Sequence, residues 1–193
     1  DRKVAAFISA KDPSVQGIAK NIAGIVSQRG SKSINRNLLM GMGIHAALPT
    51  LGLSYVIDPQ TPYEELSKKA EAVDFVQYPR QTLSYRAGDC DDLSVLYCSF
   101  LESVGIESAF VTIPGHIYIA FATGMTSEEA RKRFSRRDEL IYHDGMAWVP
   151  VEITMINDGF LAAWKEGAKE WRENNAREQA QIYPVHEAWA LYE

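Results

Sequence analysis

The stretch Arg86-Ala87-Gly88-Asp89-Cys90-Asp91-Asp92-Leu93 puts a cysteine in the first turn of the segment with the strongest helix signal in the chain. The unpaired amides and positive end of a helix favour an anion, so a thiolate there is stabilised and becomes a better nucleophile. Asp91 and Asp92 act the other way, because negative charge beside the sulfur opposes its ionisation unless a cation or an imidazolium offsets it. Gly88 leaves room for a substrate backbone to approach the thiol.

Such a thiol needs a base. Of His45, His116, His143 and His186, only His116 follows a Pro-Gly turn at the head of an apolar strand, Ile117-Tyr118-Ile119-Ala120-Phe121, where it can face a neighbouring helix end. His143 precedes Asp144-Gly145 and reads as a turn residue. A third group has to orient the imidazole, commonly a carboxylate or amide on an adjacent strand. In Trp148-Val149-Pro150-Val151-Glu152-Ile153-Thr154, period-two alternation sets Val149, Val151 and Ile153 on one face and Trp148, Pro150, Glu152 and Thr154 on the other. Glu152, a carboxylate inside a buried-looking strand, demands a partner, either His116 or an arginine such as Arg80 or Arg86.

Gly-Asp-Cys before a helix, Gly-His before a strand and Trp-Val-Pro-Val-Glu-Ile-Thr on the next strand, in that order, resemble the transglutaminase-like superfamily over residues 55 to 154. The resemblance implies a papain-like α+β fold, with helices packed on an antiparallel sheet and the catalytic cysteine at the N-terminus of the central helix. It makes Cys90 the nucleophile, His116 the general base and then acid, Glu152 the orienting acid, and Tyr55 a contributor to the oxyanion pocket. The chain departs from the usual pattern at Glu152, where most relatives have Asp, so this carboxylate is one methylene longer. Gly-Asp-Cys-Asp-Asp also resembles the Gly-Asp-Cys-Glu-Asp form of bacterial transglutaminase-like cysteine proteinases, some of which bind calcium through acidic residues beside the nucleophile. That likeness offers calcium at Asp89, Asp91 and Asp92 as an alternative to a plain helix cap. Adjacent helical positions diverge by about 100°, which sits poorly with the converging oxygens that calcium takes. No other cofactor or metal is expected.

The implied activity is acyl transfer through a cysteine thioester. Hydrolysis of a peptide or amide bond in a peptide or protein substrate is the leading form, and transfer to a lysine amine the other. A different class of reading is a catalytically inactive binding or scaffolding module that keeps the fold.

The elements that must position these residues can be read in outline. Asp12 caps a helix with Pro13 at its first position, and Val15, Ile18, Ala19, Ile22, Ile25 and Val26 form its apolar stripe. A second helix is expected from about residue 35 to 47, with Gly41 and Gly43 weakening it and Pro49 ending or kinking it. Thr61-Pro62-Tyr63-Glu64 starts a short helix, and Gln77-Tyr78-Pro79-Arg80 reads as irregular. The central helix spans residues 89 to 104 through Leu93, Leu96, Tyr97, Phe100, Leu101 and Val104, with Gly105 as its stop. Strands follow at 108–113, 117–122, 140–143 and 148–154, the last two joined by an Asp144-Gly145 hairpin. A closing helix begins near Phe160 with Asp158 as its cap.

These elements make one α+β domain over residues 1–193: a helical part to about 75, the cysteine helix and sheet over about 76–156, and a helical tail. The balance of 20 Lys+Arg against 25 Asp+Glu gives a formal charge of -5, the wrong sign for nucleic-acid binding. The run Arg131 to Arg137 reads as a solvated face, and Trp164, Trp171 and Trp189 read as packing anchors. No apolar run reaches the roughly 18 residues of a membrane span. Cys90 and Cys98 lie about 12 Å apart along a helix, too far for a disulfide, and Cys98 falls on the core side. The chain begins at Asp1 with no basic-then-apolar leader, so localisation stays open, the bacterial resemblance tilting it towards an extracytoplasmic or periplasmic setting.

Overall fold

A computed structural model describes residues 2–57 and 76–190, so the helix expected at Thr61-Pro62 lies outside the described residues. The chain builds α1 (Pro13–Arg29), α2 (Arg36–Thr50), β1 (Ser54–Tyr55), α3 (Pro79–Tyr85), β2 (Ala87–Gly88) and α4 (Cys90–Ser103) before its main sheet. That sheet contains β3 (Ser108–Ile113), β4 (His116–Thr126), β5 (Ile141–His143), β6 (Met146–Val151) and β7 (Gln181–Pro184) in the order β5-β6-β4-β3-β7. Every neighbouring pair is antiparallel. Helices α5 (Ser127–Arg133), α6 (Phe160–Asn175) and α7 (Val185–Ala190) complete a mixed α+β architecture.

Most helix starts follow from local chemistry. Asp12 accepts from the Ser14 N–H at 2.9 Å, and Asn35 accepts from Leu38 N–H at 2.9 Å. Ile25, expected on the apolar stripe of α1, is instead exposed, and only Val15, Ala19 and Ile22 are buried. Helix α2 runs past the expected stop to Thr50, because Pro49 in its last turn removes only one helical N–H. The segment read as irregular is α3, with Pro79 at its first position and the Gln81 side chain accepting from Tyr78 N–H. Its seven residues are too few to show a period. Helix α6 is capped by Gly159, at φ 85, rather than by Asp158. The edge strand β7 and helix α7 were not expected. They interrupt what reads as a continuous helical tail, and β7 ends on Pro184, a residue tolerated at a strand edge.

The sheet is covered on both faces, which explains why its strands read as apolar runs rather than alternating ones. On β4, Phe121 packs under Gly41 of α2, while Tyr118, an odd number of residues away and so on the other face, donates its phenol to Gly167 O of α6 at 3.1 Å. Helix α4 is accordingly buried around its whole circumference, Ser94, Cys98 and Ser99 included. Among the tryptophans, Trp164 donates its indole N–H to Glu139 O and Trp189 to Ala5 O, so both tie separate segments together.

The glycines that weaken α2 as a helix serve its packing. A Cβ on Gly41 would lie 2.3 Å from Phe121 Cζ, and one on Gly43 would lie 2.6 Å from Val26 Cγ2. Gly41 O also accepts the buried Tyr97 phenol at 2.6 Å. Gly41→Ala is therefore expected to destabilise the fold by about 1–3 kcal/mol despite its better helix propensity. Urea denaturation of the two proteins checks this; an unchanged or raised midpoint would contradict the packing account.

Candidate active site

Cys90 begins α4, with Asp89 as the capping residue. Asp89 Oδ1 accepts from Asp92 N–H at 3.2 Å, Asp92 Oδ2 accepts from Asp89 N–H at 3.4 Å, and Asp92 Oδ1 accepts from Gln77 N–H at 2.7 Å. Asp89 and Asp92 thus form a capping box that also fastens the segment before α3. Asp89, Asp91 and Asp92 are not among the described groups whose ligand atoms converge on one point. Gly88 does not open space for a substrate as expected: it is buried, and a Cβ there would lie 2.6 Å from Asp92 Cβ. Its bareness lets β2 lie against the start of α4.

His116 stands where the Pro114-Gly115 turn feeds β4, paired with Ile113 across the hairpin. Flanking a two-residue turn, these two form the hydrogen-bonded pair, so the N–H of the next residue, Ile117, points away from β3. On that side β6 pairs with β4 only up to Val151, opposite Ile119. The freed Ile117 N–H lies on the side of the Cys90 sulfur and lowers its pKa. The register of the sheet thereby sets the thiol beside the residue that follows His116.

Glu152 is not inside a strand, as the alternation suggested, but directly after β6, capping a 3-10 turn over Ile153–Met155. Its partner is His116 and not an arginine: His116 Nε2–H donates to Glu152 Oε2 at 2.8 Å. The other oxygen, Oε1, accepts from Thr154 N–H at 3.0 Å and from Thr154 Oγ1–H at 2.6 Å. The Glu152 side chain is 4% exposed and that of His116 is 22% exposed. The bond occupies Nε2 and leaves Nδ1 as the ring nitrogen for a reacting thiol. The His116 ring also stacks on Tyr118, with centroids 5.9 Å apart.

Tyr55 lies opposite Gly88 in the short parallel pair of β1 and β2. Burial raises its phenol's pKa, and the negative charges of Asp89, Glu152 and Asp91 raise it further, as a Cys90 thiolate would. Of the four residues singled out from the sequence, His116 and Glu152 are in direct contact, and Tyr55 and Cys90 both lie within the electrostatic reach of Glu152. The electrostatics of the thiol differ from the sequence reading. Burial pushes the Cys90 thiol strongly up, with Asp91 and Asp89 adding to this, and the Ile117 N–H opposes them only in part. With Cys90 5% exposed, the resting group is a thiol. Cys98 is free and fully buried in the core.

One further group, Glu170 on α6, is not apparent from the sequence. Its carboxyl, the Glu152 carboxyl and the His116 imidazole present ligand-type atoms within 4.8 Å of one another. Glu170 lies one turn beyond Gly167, where α6 touches the β6 backbone; a Cβ on Gly167 would lie 3.1 Å from Glu152 N. Glu152 N–H in turn donates to Ala163 O at 3.0 Å. The only sequence signal is a carboxylate three residues from a glycine in a tryptophan-rich helix, which identifies nothing without the packing.

No family model, curated protein or solved structure matches the chain. Among the described residues no helix is long and apolar enough to cross a membrane.

Burial alone would raise the pKa of Glu152, but the His116 hydrogen bond and charge, with the Thr154 bond, bring it below the ordinary glutamate value. A carboxyl whose folded pKa is depressed contributes stability above its unfolded pKa of about 4.3 and loses it as pH falls through the folded value. Glu152→Gln is expected to cost about 1–3 kcal/mol at pH 7. The gap to the unaltered protein should close by about pH 3, as urea denaturation at the two pH values will show. A gap that stays constant would mean that the charge of Glu152 contributes nothing.

Proposed function

We propose that the chain is a transglutaminase-like cysteine hydrolase that cleaves a peptide or amide bond through a Cys90 thioester. The observation that carries this reading is the 2.8 Å bond from His116 Nε2 to a buried, doubly anchored Glu152, with the N–H of the residue after His116 acting on the Cys90 sulfur. Such an anchor fixes the imidazole's tautomer and orientation, as a base that moves one proton in two directions requires.

In the proposed reaction His116 Nδ1 takes the Cys90 proton as the sulfur attacks the carbonyl carbon. The developing oxyanion is held by backbone N–H groups at the start of α4 and by the Tyr55 O–H, whose raised pKa keeps it a donor. The imidazolium, paired with Glu152, then gives its proton to the leaving amine and the carbon–nitrogen bond breaks. Water, deprotonated by the same nitrogen, attacks the thioester and releases the acid and the thiol. A lysine amine in place of water would make the same thioester an intermediate of transglutaminase-type transfer. Because the resting sulfur is a thiol, proton removal belongs to the attack step.

The burial of Cys90 favours a second reading, a binding or scaffolding module that keeps the arrangement without turnover. Timed alkylation with iodoacetamide, read by mass spectrometry, separates the two. The hydrolase reading expects Cys90 to react at pH 7 at least about tenfold faster than free cysteine, and to lose that advantage in His116→Ala. A Cys90 slower than free cysteine and indifferent to His116→Ala would establish the module instead.

A further inference from the structure

Glu152 and Glu170 place two carboxyl groups within 4.8 Å of each other beside one imidazole. The bonds of Glu152 are all of the kind an ionised carboxylate makes: Oε2 accepts from His116, and Oε1 accepts twice from Thr154. Glu170 differs. Its Oε2 is buried and no donor faces it. Two carboxylates this close in a largely buried site oppose each other's ionisation, and the one whose buried oxygen meets no donor is the one that keeps its proton.

We propose that Glu170 is a positioning residue for the His116–Glu152 pair: its carboxyl stays protonated, donates its O–H to the Glu152 carboxylate, and leaves Glu152 as the single negative charge facing the imidazole. The consequence for catalysis rests on the thiol reading given above, whereas the shared proton itself does not.

The surroundings of Glu170 agree. Burial pushes its carboxyl up to about 9, and the charge and hydrogen bond of Glu152, then the charge of Glu166, push in the same direction, against Lys169 alone. From β4 the groups facing it are His116 and the phenol of Tyr118. Strands β3 and β6 and the Ile153–Met155 turn carry no ionisable side chain. In the 137–139 turn, Asp138 is engaged by Arg172 and Glu139 by Arg136. His45 of α2 packs on Phe160, at the other end of α6.

A protonated Glu170 does two things for the base. It adds a fourth hydrogen bond to Glu152, fixing the oxygen that meets Nε2. It also withdraws charge from Glu152, which keeps the carboxylate from holding the proton that Nε2 must retain while Nδ1 works. When Glu170 ionises at alkaline pH, a second negative charge arrives beside the ring and the donated bond is lost.

Glutamine is the test, since its amide donates as the protonated acid does but cannot ionise. With ring-15N-labelled histidine, NMR from pH 6 to 10.5 should show the His116 nitrogens shifting with an inflection near pH 9, and Glu170→Gln should abolish it. At pH 7 Glu170→Gln should keep the alkylation rate of Cys90 within about twofold, and Glu170→Ala should slow it roughly tenfold, as for a lost charge-assisted hydrogen bond. An inflection that is absent, or that survives in Glu170→Gln, overturns the proposal, as does an equal loss of rate in Gln and Ala variants. A Cys90 that is unreactive in all three proteins, with the inflection present and dependent on Glu170, would overturn the thiol reading and leave the shared proton standing.

Discussion

The burial of one ionised carboxylate constrains this whole end of the molecule. Removing an unpaired carboxylate from water is prohibitively costly, so Glu152 is compatible with its position only while each of its oxygens is bonded. Thr154 supplies two of those bonds from within the same turn, and His116 supplies a third from β4. The turn exists because β6 ends at Val151, and β6 can end there because Glu152 N–H finds Ala163 O on α6 instead of a strand partner. The close approach of α6 depends in turn on Gly167, which has no Cβ to hold the helix off the β6 backbone. Loosening any of these contacts leaves a charge stranded, so the stretch of β6, turn and helix behaves as one unit.

The same departure of β6 opens the sheet where the sulfur lies. Had β6 continued past Val151, its backbone would take up the outward N–H of β4. With β6 gone, the Ile117 N–H is left on the side of Cys90, whose pKa it lowers. The oxygen that accepts from His116 and the amide that faces the thiol therefore share one cause, a strand that stops short.

Much of this could be read from residue types. The Asp89 cap, the Asp144-Gly145 hairpin, the bounds of β3 and the apolar run of β4 all rest on local chemistry that does not depend on distant segments. The pairing of His116 with Glu152 is legible from a carboxylate among apolar neighbours that demands a partner, whereas the expectation that Cys90 joins them rests on the resemblance of the three motifs and their order to the transglutaminase-like superfamily. What could not be read depends on packing between distant segments. The exposure of Ile25, the role of Gly41 against Phe121 and the pairing of β7 with β3 are decided by neighbours far along the chain. Period-two alternation misplaced Glu152 inside a strand because both faces of β6 are covered, so burial carried no information about where the strand ends. Glu170 is invisible for the same reason: nothing in α6 alone distinguishes it from Glu166 or Glu173, and only the contact at Gly167 brings it to the site.

The thiol shows how a local rule can be overruled. A helix N-terminus favours a thiolate by an amount worth roughly 0.3–1 kcal/mol near the surface. Cys90 is buried, and its own helix start carries Asp89 and Asp91, whose charges act on the sulfur at close range. Desolvation and like charge outweigh the dipole, so the helix end here is better suited to an oxyanion that forms during a reaction than to an anion held at rest. On the proposed reading the sulfur becomes nucleophilic only when its proton has somewhere to go, and the imidazole of His116, anchored by Glu152, is the acceptor proposed for it. On that reading the acidic cap has a consistent place: it stabilises the helix that presents the sulfur, and it leaves the ionisation of that sulfur to the proposed base.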